Sequence, residues 1–152
     1  MILNKKLLFI SFLLAPFFLK GQAYSQLGSD IDGAVASDEF GYSVSLDSDG
    51  DVVAIGSVKH DGNKGHVRVY GYSSGSWSQL GSDIDGSATN DYSARSISLD
   101  SDGDVVAIGS SSHDSNKGTV RIYGYSSGSW SQLGSDIDGE SSSDYSGWSV
   151  SL

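Results

Sequence analysis

The sequence predicts an all-β chain assembled from repeated four-stranded antiparallel sheets. Three observations carry that expectation. A stretch of 53 residues recurs along the chain, and self-similarity at such a period marks repeat architectures. Within each copy the apolar residues alternate with a period of two rather than 3.6. Asp-Gly and Ser-Gly pairs punctuate the runs, at places where the turn residues must tolerate positive φ.

The repeat is plainest in Ser25-Gln26-Leu27-Gly28-Ser29-Asp30-Ile31-Asp32-Gly33, which returns beginning at Ser78 and again at Ser131. Units 24–76 and 77–129 differ at 15 of 53 aligned positions. A third unit, 130–152, stops at Leu152, the counterpart of Leu46 and Leu99. That residue falls inside an alternating run, so the chain is expected to be a piece of a longer array.

Each unit offers four runs. Ser43-Val44-Ser45-Leu46 alternates and predicts a first strand. Val52-Val53-Ala54-Ile55-Gly56 is continuously apolar and predicts a strand covered on both faces. Asp47-Ser48-Asp49-Gly50-Asp51 between them reads as a hairpin turn. His66-Val67-Arg68-Val69-Tyr70-Gly71-Tyr72 places its valines on one face and Arg68 and Tyr70 on the other. Ser73-Ser74-Gly75-Ser76 turns the chain into a fourth run, Trp77-Ser78-Gln79-Leu80. One such sheet cannot bury both faces alone, whereas neighbours stacked against it can. Four strands in 40–50 residues is the blade pattern of a β-propeller. About two and a half units are present, and propellers take roughly 4–8 blades. Further blades, in cis or from other chains, are therefore expected to close the ring. Tyr24-Ser25-Gln26-Leu27, an outer-strand motif ahead of the first full unit, fits closure by pairing with a final blade. An open β-solenoid is the alternative architecture.

Composition narrows the function classes. The 152 residues hold 19 acidic and 9 basic side chains, a net charge of −10, and no Cys. Disulfides and Cys-based zinc sites are excluded. The charge has the wrong sign for nucleic acid. With 38% apolar residues the chain is too hydrophobic for a disordered acidic tail. Residues 1–23 read as a signal peptide: Lys5 and Lys6, an uncharged largely apolar stretch over 7–19, then Gly21-Gln22-Ala23. That stretch is short for a membrane span. A secreted or surface-exposed protein without membrane insertion after cleavage is expected.

Phe40-Gly41-Tyr42-Ser43-Val44-Ser45-Leu46, the Asp47–Asp51 turn and Val52-Val53-Ala54-Ile55-Gly56-Ser57 together resemble the FG-GAP repeat of integrin-α-like β-propellers. The form with Trp-Ser-Gln-Leu-Gly and Asp-Ile-Asp-Gly is similar to repeats in secreted bacterial proteins. The resemblance spans 24–152. It implies an extracellular propeller, usually of seven blades, used in adhesion or ligand binding. Phe40 gives way to Ser93 and Ser146, Gly41 to Ala94, and no Pro follows Gly56.

Calcium is the cofactor such repeats bring to mind, because hard cations seek clustered oxygens. The family's loop places acids at positions 1, 3, 5 and 9. From Asp47 the chain supplies Asp49 and Asp51 but Ile55 at the ninth, and the next unit has Asp100, Asp102, Asp104 and Ile108. A hairpin turn is the preferred reading there. A better-spaced set is Asp30, Asp32 and Asp38, with Asp83, Asp85, Asp91 and Asp136, Asp138, Glu140, Asp144 in the later units. These are the candidate Ca2+ ligands, weighed against plain turns and solvated surface charge. His60-Asp61 and His113-Asp114 recur in Gly- and Asn-rich loops and read as structural, since catalysis requires one asymmetric site. No intrinsic catalysis is expected. Trp77, Trp130, Tyr70, Tyr72, Tyr123 and Tyr125 are expected between sheets rather than on sugars. Tyr42, Arg95 and Trp148 occupy one repeat position that varies between units, which nominates them for a ligand face. The expected function is a binding or adhesion module for an extracellular protein or glycan. The alternatives are a structural array and an accessory module of a secreted polysaccharide-active protein.

Overall fold

The computed structural model describes residues 24–152. The expected signal peptide lies outside the described residues. No helix among the described residues is long and apolar enough to cross a membrane.

The chain is all-β, arranged as two antiparallel sheets. The first contains β1 (Phe40–Leu46), β2 (Val52–Ser57), β3 (His66–Ser73), β4 (Ser76–Gln79) and β5 (Ile84–Asp85). The second contains β6 (Ser96–Leu99), β7 (Val105–Ser110), β8 (Thr119–Ser126), β9 (Ser129–Gln132) and β10 (Ile137–Asp138). Three strands of each sheet follow the runs read from sequence. The fourth differs: β4 and β5 both pair with β3, opposite Tyr70–Ser73 and opposite His66–Val67. One outer strand is thus interrupted at Leu80–Asp83, where Gly81 takes a φ of 71°. Two four-residue turns, α1 (His60–Asn63) and α2 (His113–Asn116), join β2 to β3 and β7 to β8. They were not visible as helical periodicity because Asp61, Gly62 and Asn63 are left-handed, as are Asp114, Ser115 and Asn116.

The turns between the first two strands are held by one carboxylate. Asp47 Oδ1 accepts the N–H groups of Gly50, Asp51 and Val52, and Asp100 Oδ1 accepts those of Asp104 and Val105. These carboxylates satisfy backbone donors that the tight turn would otherwise orphan.

The core lies between the sheets. Ala54, Val67, Val69 and Ile84 of the first pack with Ile97, Leu99, Val106 and Ile108 of the second, Ala94 completing the cluster. Alternation explains the division, because residues two apart on a strand share a face. Polar clasps fix the offset. Ser43 Oγ donates to Ala94 O at 2.6 Å, and Ser96 Oγ to Gly147 O at 2.9 Å. Ser45 Oγ accepts Leu99 N at 2.9 Å, and Ser98 Oγ accepts Leu152 N at 3.0 Å. Trp77 Nε1 donates to Leu27 O, and Trp130 Nε1 to Leu80 O. Each pair joins residues 53 apart in the sequence to equivalent partners. Gly65 and Gly118, both at a φ of 76°, sit where a Cβ would strike the Ser93 or Ser146 backbone. Residues 147–152 form no strand, although their alternation predicts one: among the described residues they have no antiparallel partner.

Candidate functional site

The candidate acids lie ahead of β1, on β5 and β10, and in the connections beside those strands. Here the ten nominated acids separate into three jobs. Asp30, Asp83 and Asp136, the first of each set, accept hydrogen bonds from Gln26, Gln79 and Gln132 at 2.7, 2.8 and 2.8 Å. Arg68 also donates to both carboxylate oxygens of Asp83 at 2.9–3.0 Å, and Arg121 Nε and Nη2 both donate to Asp136 Oδ2 at 2.6–2.9 Å. Paired guanidinium donors of this kind are the strong class of hydrogen bond. Burial alone would raise the Asp83 pKa, but the Arg68 and Gln79 hydrogen bonds win and hold it below the usual carboxylate range. Arg121 does the same for Asp136 more directly.

The last acid of each set anchors a loop. Asp38 Oδ2 lies 2.7 Å from His60 Nδ1, and Asp91 Oδ2 lies 3.0 Å from His113 Nδ1. Asp91, almost fully buried, also accepts Ala88 N and Ser87 Oγ. Asp144 accepts the N–H groups of Glu140 and Ser141. The recurring histidines therefore tie the α turns to the preceding connection, a positioning role. Glu39 pairs with Lys59 at 2.6 Å beside the first of these contacts.

The middle acids, Asp32, Asp85, Asp138 and Glu140, are exposed. Asp85 faces His66 across the β3–β5 register. His60, His66 and Asp85 form a group whose donor atoms all lie within 4.8 Å of one another, the one such His/Asp/Glu group among the described residues. So the three acids of a set do not converge on one another; the convergence is between one acid and two histidines. His66 was read from sequence as a strand residue. The available signal was its failure to repeat, since Thr119 stands in its place in the second unit.

Tyr42 and Trp148 are exposed. Arg95 and Trp148 meet: the guanidinium carbon lies 3.9 Å from the indole centroid, a distance at which the ring quadrupole attracts a cation. Tyr145 stands edge-on to Trp148 at 6.0 Å. Tyr42 holds the corresponding position in the first unit. A shallow polar cleft of about 590 Å³ lies nearby in sequence terms, between residues 88–92 and the α2 turn. Tyr72 and Trp77 pair across the β3–β4 hairpin at 5.2 Å, and Tyr125 and Trp130 repeat the pair at 5.0 Å. Of the nominated aromatics, Tyr123 and Trp130 pack against the core between the sheets.

No protein-family model and no curated protein matches this chain.

Proposed function

We propose that this chain is a stretch of a β-propeller of FG-GAP type, working outside the cell as a binding module for a protein or glycan. The leader-like N-terminus and acidic surface support the extracellular setting. The propeller reading is supported by two meandering sheets stacked face to face with the same clasps repeated at the 53-residue period. Heterologous stacking of this kind continues until it closes into a ring or extends as a filament.

The binding reading rests on one observation: half-buried Arg95 stacks on exposed Trp148, its equivalent in the next unit. An exposed aromatic and a planar cation are the side chains most often found as binding anchors. Their position also differs from unit to unit, with Tyr42, Arg95 and Trp148 in turn, as individual ligand contacts require. Glycan and extracellular-protein arrays probed with the purified chain test this. Binding that falls about tenfold or more in Trp148→Ala and Arg95→Ala, at unchanged circular dichroism, is expected. Binding indifferent to both substitutions removes Tyr42, Arg95 and Trp148 from the ligand face. No binding at all favours the structural-array reading, which the uncovered apolar outer faces of both sheets support.

A further inference from the structure

We propose that His60, His66 and Asp85 form a binding site for one transition-type divalent cation, Zn2+ being the matching ion, and that the site exists in the first sheet only. Each ligand is prepared in a different way. His60 stands on the α1 turn with Nδ1 at 2.7 Å from Asp38 Oδ2. That contact fixes the proton on Nδ1 and leaves the Nε2 lone pair free, the carboxylate–histidine–metal arrangement. His66 is 1% exposed, and neither ring nitrogen has a hydrogen-bond partner. Its nearest carboxylate oxygen, Asp83 Oδ2, is 3.6 Å away, too far for a hydrogen bond. Buried polar groups left this way are rare and call for an unseen partner. Its ring centroid lies 4.0 Å from that of His60. Asp85 closes the group from β5 and is exposed, so an ion can enter from solvent.

A neutral imidazole is the form that ligates metal. Two nitrogen donors and one carboxylate suit Zn2+, with bonds of about 2.0–2.2 Å and a fourth position left for water. They suit Ca2+ poorly, since it takes six to eight oxygens. Ligands at tetrahedral angles on such bonds stand roughly 3.4 Å apart, so the donors, now within 4.8 Å of one another, draw together by up to about 1.4 Å through side-chain rotation.

The repeat supplies its own control. The second sheet keeps His113 and Asp138 but carries Thr119 where the first has His66, and it folds into the same strands in the same register. Thr119 Oγ1 is likewise buried without a hydrogen-bond partner, so an unpaired polar atom at this place is common to both sheets; what the first sheet alone adds is an imidazole beside His60 and Asp85, which the second shows is not needed to build the sheet. Bound metal would clip α1 to β3 and β5 in the first sheet alone.

Zn2+ titrated calorimetrically into the purified full chain, with Co2+ absorption as a geometric probe, tests the site. One ion per chain and an intense tetrahedral Co2+ spectrum are expected. His66→Thr, the substitution the second unit already tolerates, should retain the circular dichroism spectrum and weaken binding at least about 100-fold, and Asp38→Asn about 10–100-fold. Thr119→His should add a second equivalent. If His66→Thr loses its fold, Asp85→Asn on the exposed outer strand is read by the same criterion. Absence of Zn2+ binding to the wild-type chain, or stoichiometry and affinity unchanged in the ligand variant, overturns the proposal; the first outcome assigns the His66 nitrogens to a buried water.

Discussion

Ile84 and Ile137 occupy the same place in the two sheets, on the outer strand opposite Val67 and Val120. Ile84 is 6% exposed and Ile137 57%. On the opposite face the order reverses: Leu99 is 5% exposed and its counterpart Leu46 55%. Residue type, strand and register are the same in each pair, so burial is decided by whether a neighbouring sheet stands in front. The first sheet offers one face to the second and the second offers its other face outward. Apolar burial here is a property of the junction between units, as nearest-neighbour coupling in repeat proteins requires.

The sharpest way to break this comparison is a charge. Leu99→Asp would bury an unpaired carboxylate in the junction and is expected to cost about 4 kcal/mol or more, enough to unfold a marginal domain. Leu46→Asp should cost less than about 1 kcal/mol, as substitutions at exposed sites do. Urea denaturation of both variants makes the measurement, and equal losses would contradict the contrast. Ile84→Ala should cost about 2–5 kcal/mol through lost burial and a cavity. Ile137→Ala should shift the urea midpoint by a small fraction of that.

A smaller effect separates the polar parts. Asp136→Asn should cost about 1–3 kcal/mol at neutral pH by weakening the Arg121 contact. The folded pKa of Asp136 lies below the ordinary 3.8, chiefly through Arg121, against burial, with Gln132 and His113 adding to the effect. The unfolded chain therefore takes up the proton first on acidification. The stabilisation is present above that ordinary value and is lost as pH falls through the folded one. Acid titration of stability should show a shallower limb in Asp136→Asn, and an unchanged limb would remove the ion pair from the account. Trp130→Phe is the smallest case, about 0.5–1.5 kcal/mol for the bond to Leu80 O across the junction.

Strand order and most strand positions were legible because a period of two and Asp-Gly punctuation are local signals. Val52–Ser57 and His66–Ser73 needed nothing more. The outer strand was only half legible, since the interruption at Gly81 separates Ile84 and Asp85 from Trp77 and made them look like loop. Spacing alone also groups Asp83, Asp85 and Asp91 as one candidate ligand set. In fact β5 carries Asp85 to His66, Arg68 claims Asp83, and Asp91 turns toward His113. Spacing along the chain could not reveal these partners, because each lies across a sheet or a connection. The left-handed turns at Asp61 and Asp114 left no periodic trace either. The stacking of Arg95 on Trp148 was foreshadowed only as a position that varies.

The central claim is that each sheet is stable because of its neighbour, and a length series tests it most directly. Chemical denaturation would be followed for chains carrying one unit (24–76), two units (24–129) and the whole repeat region (24–152). A single unit is expected to be unfolded or nearly so, with unfolding free energy and m-value rising at each added junction. A lone unit that unfolds cooperatively with the same free energy as the longer chains would contradict the account.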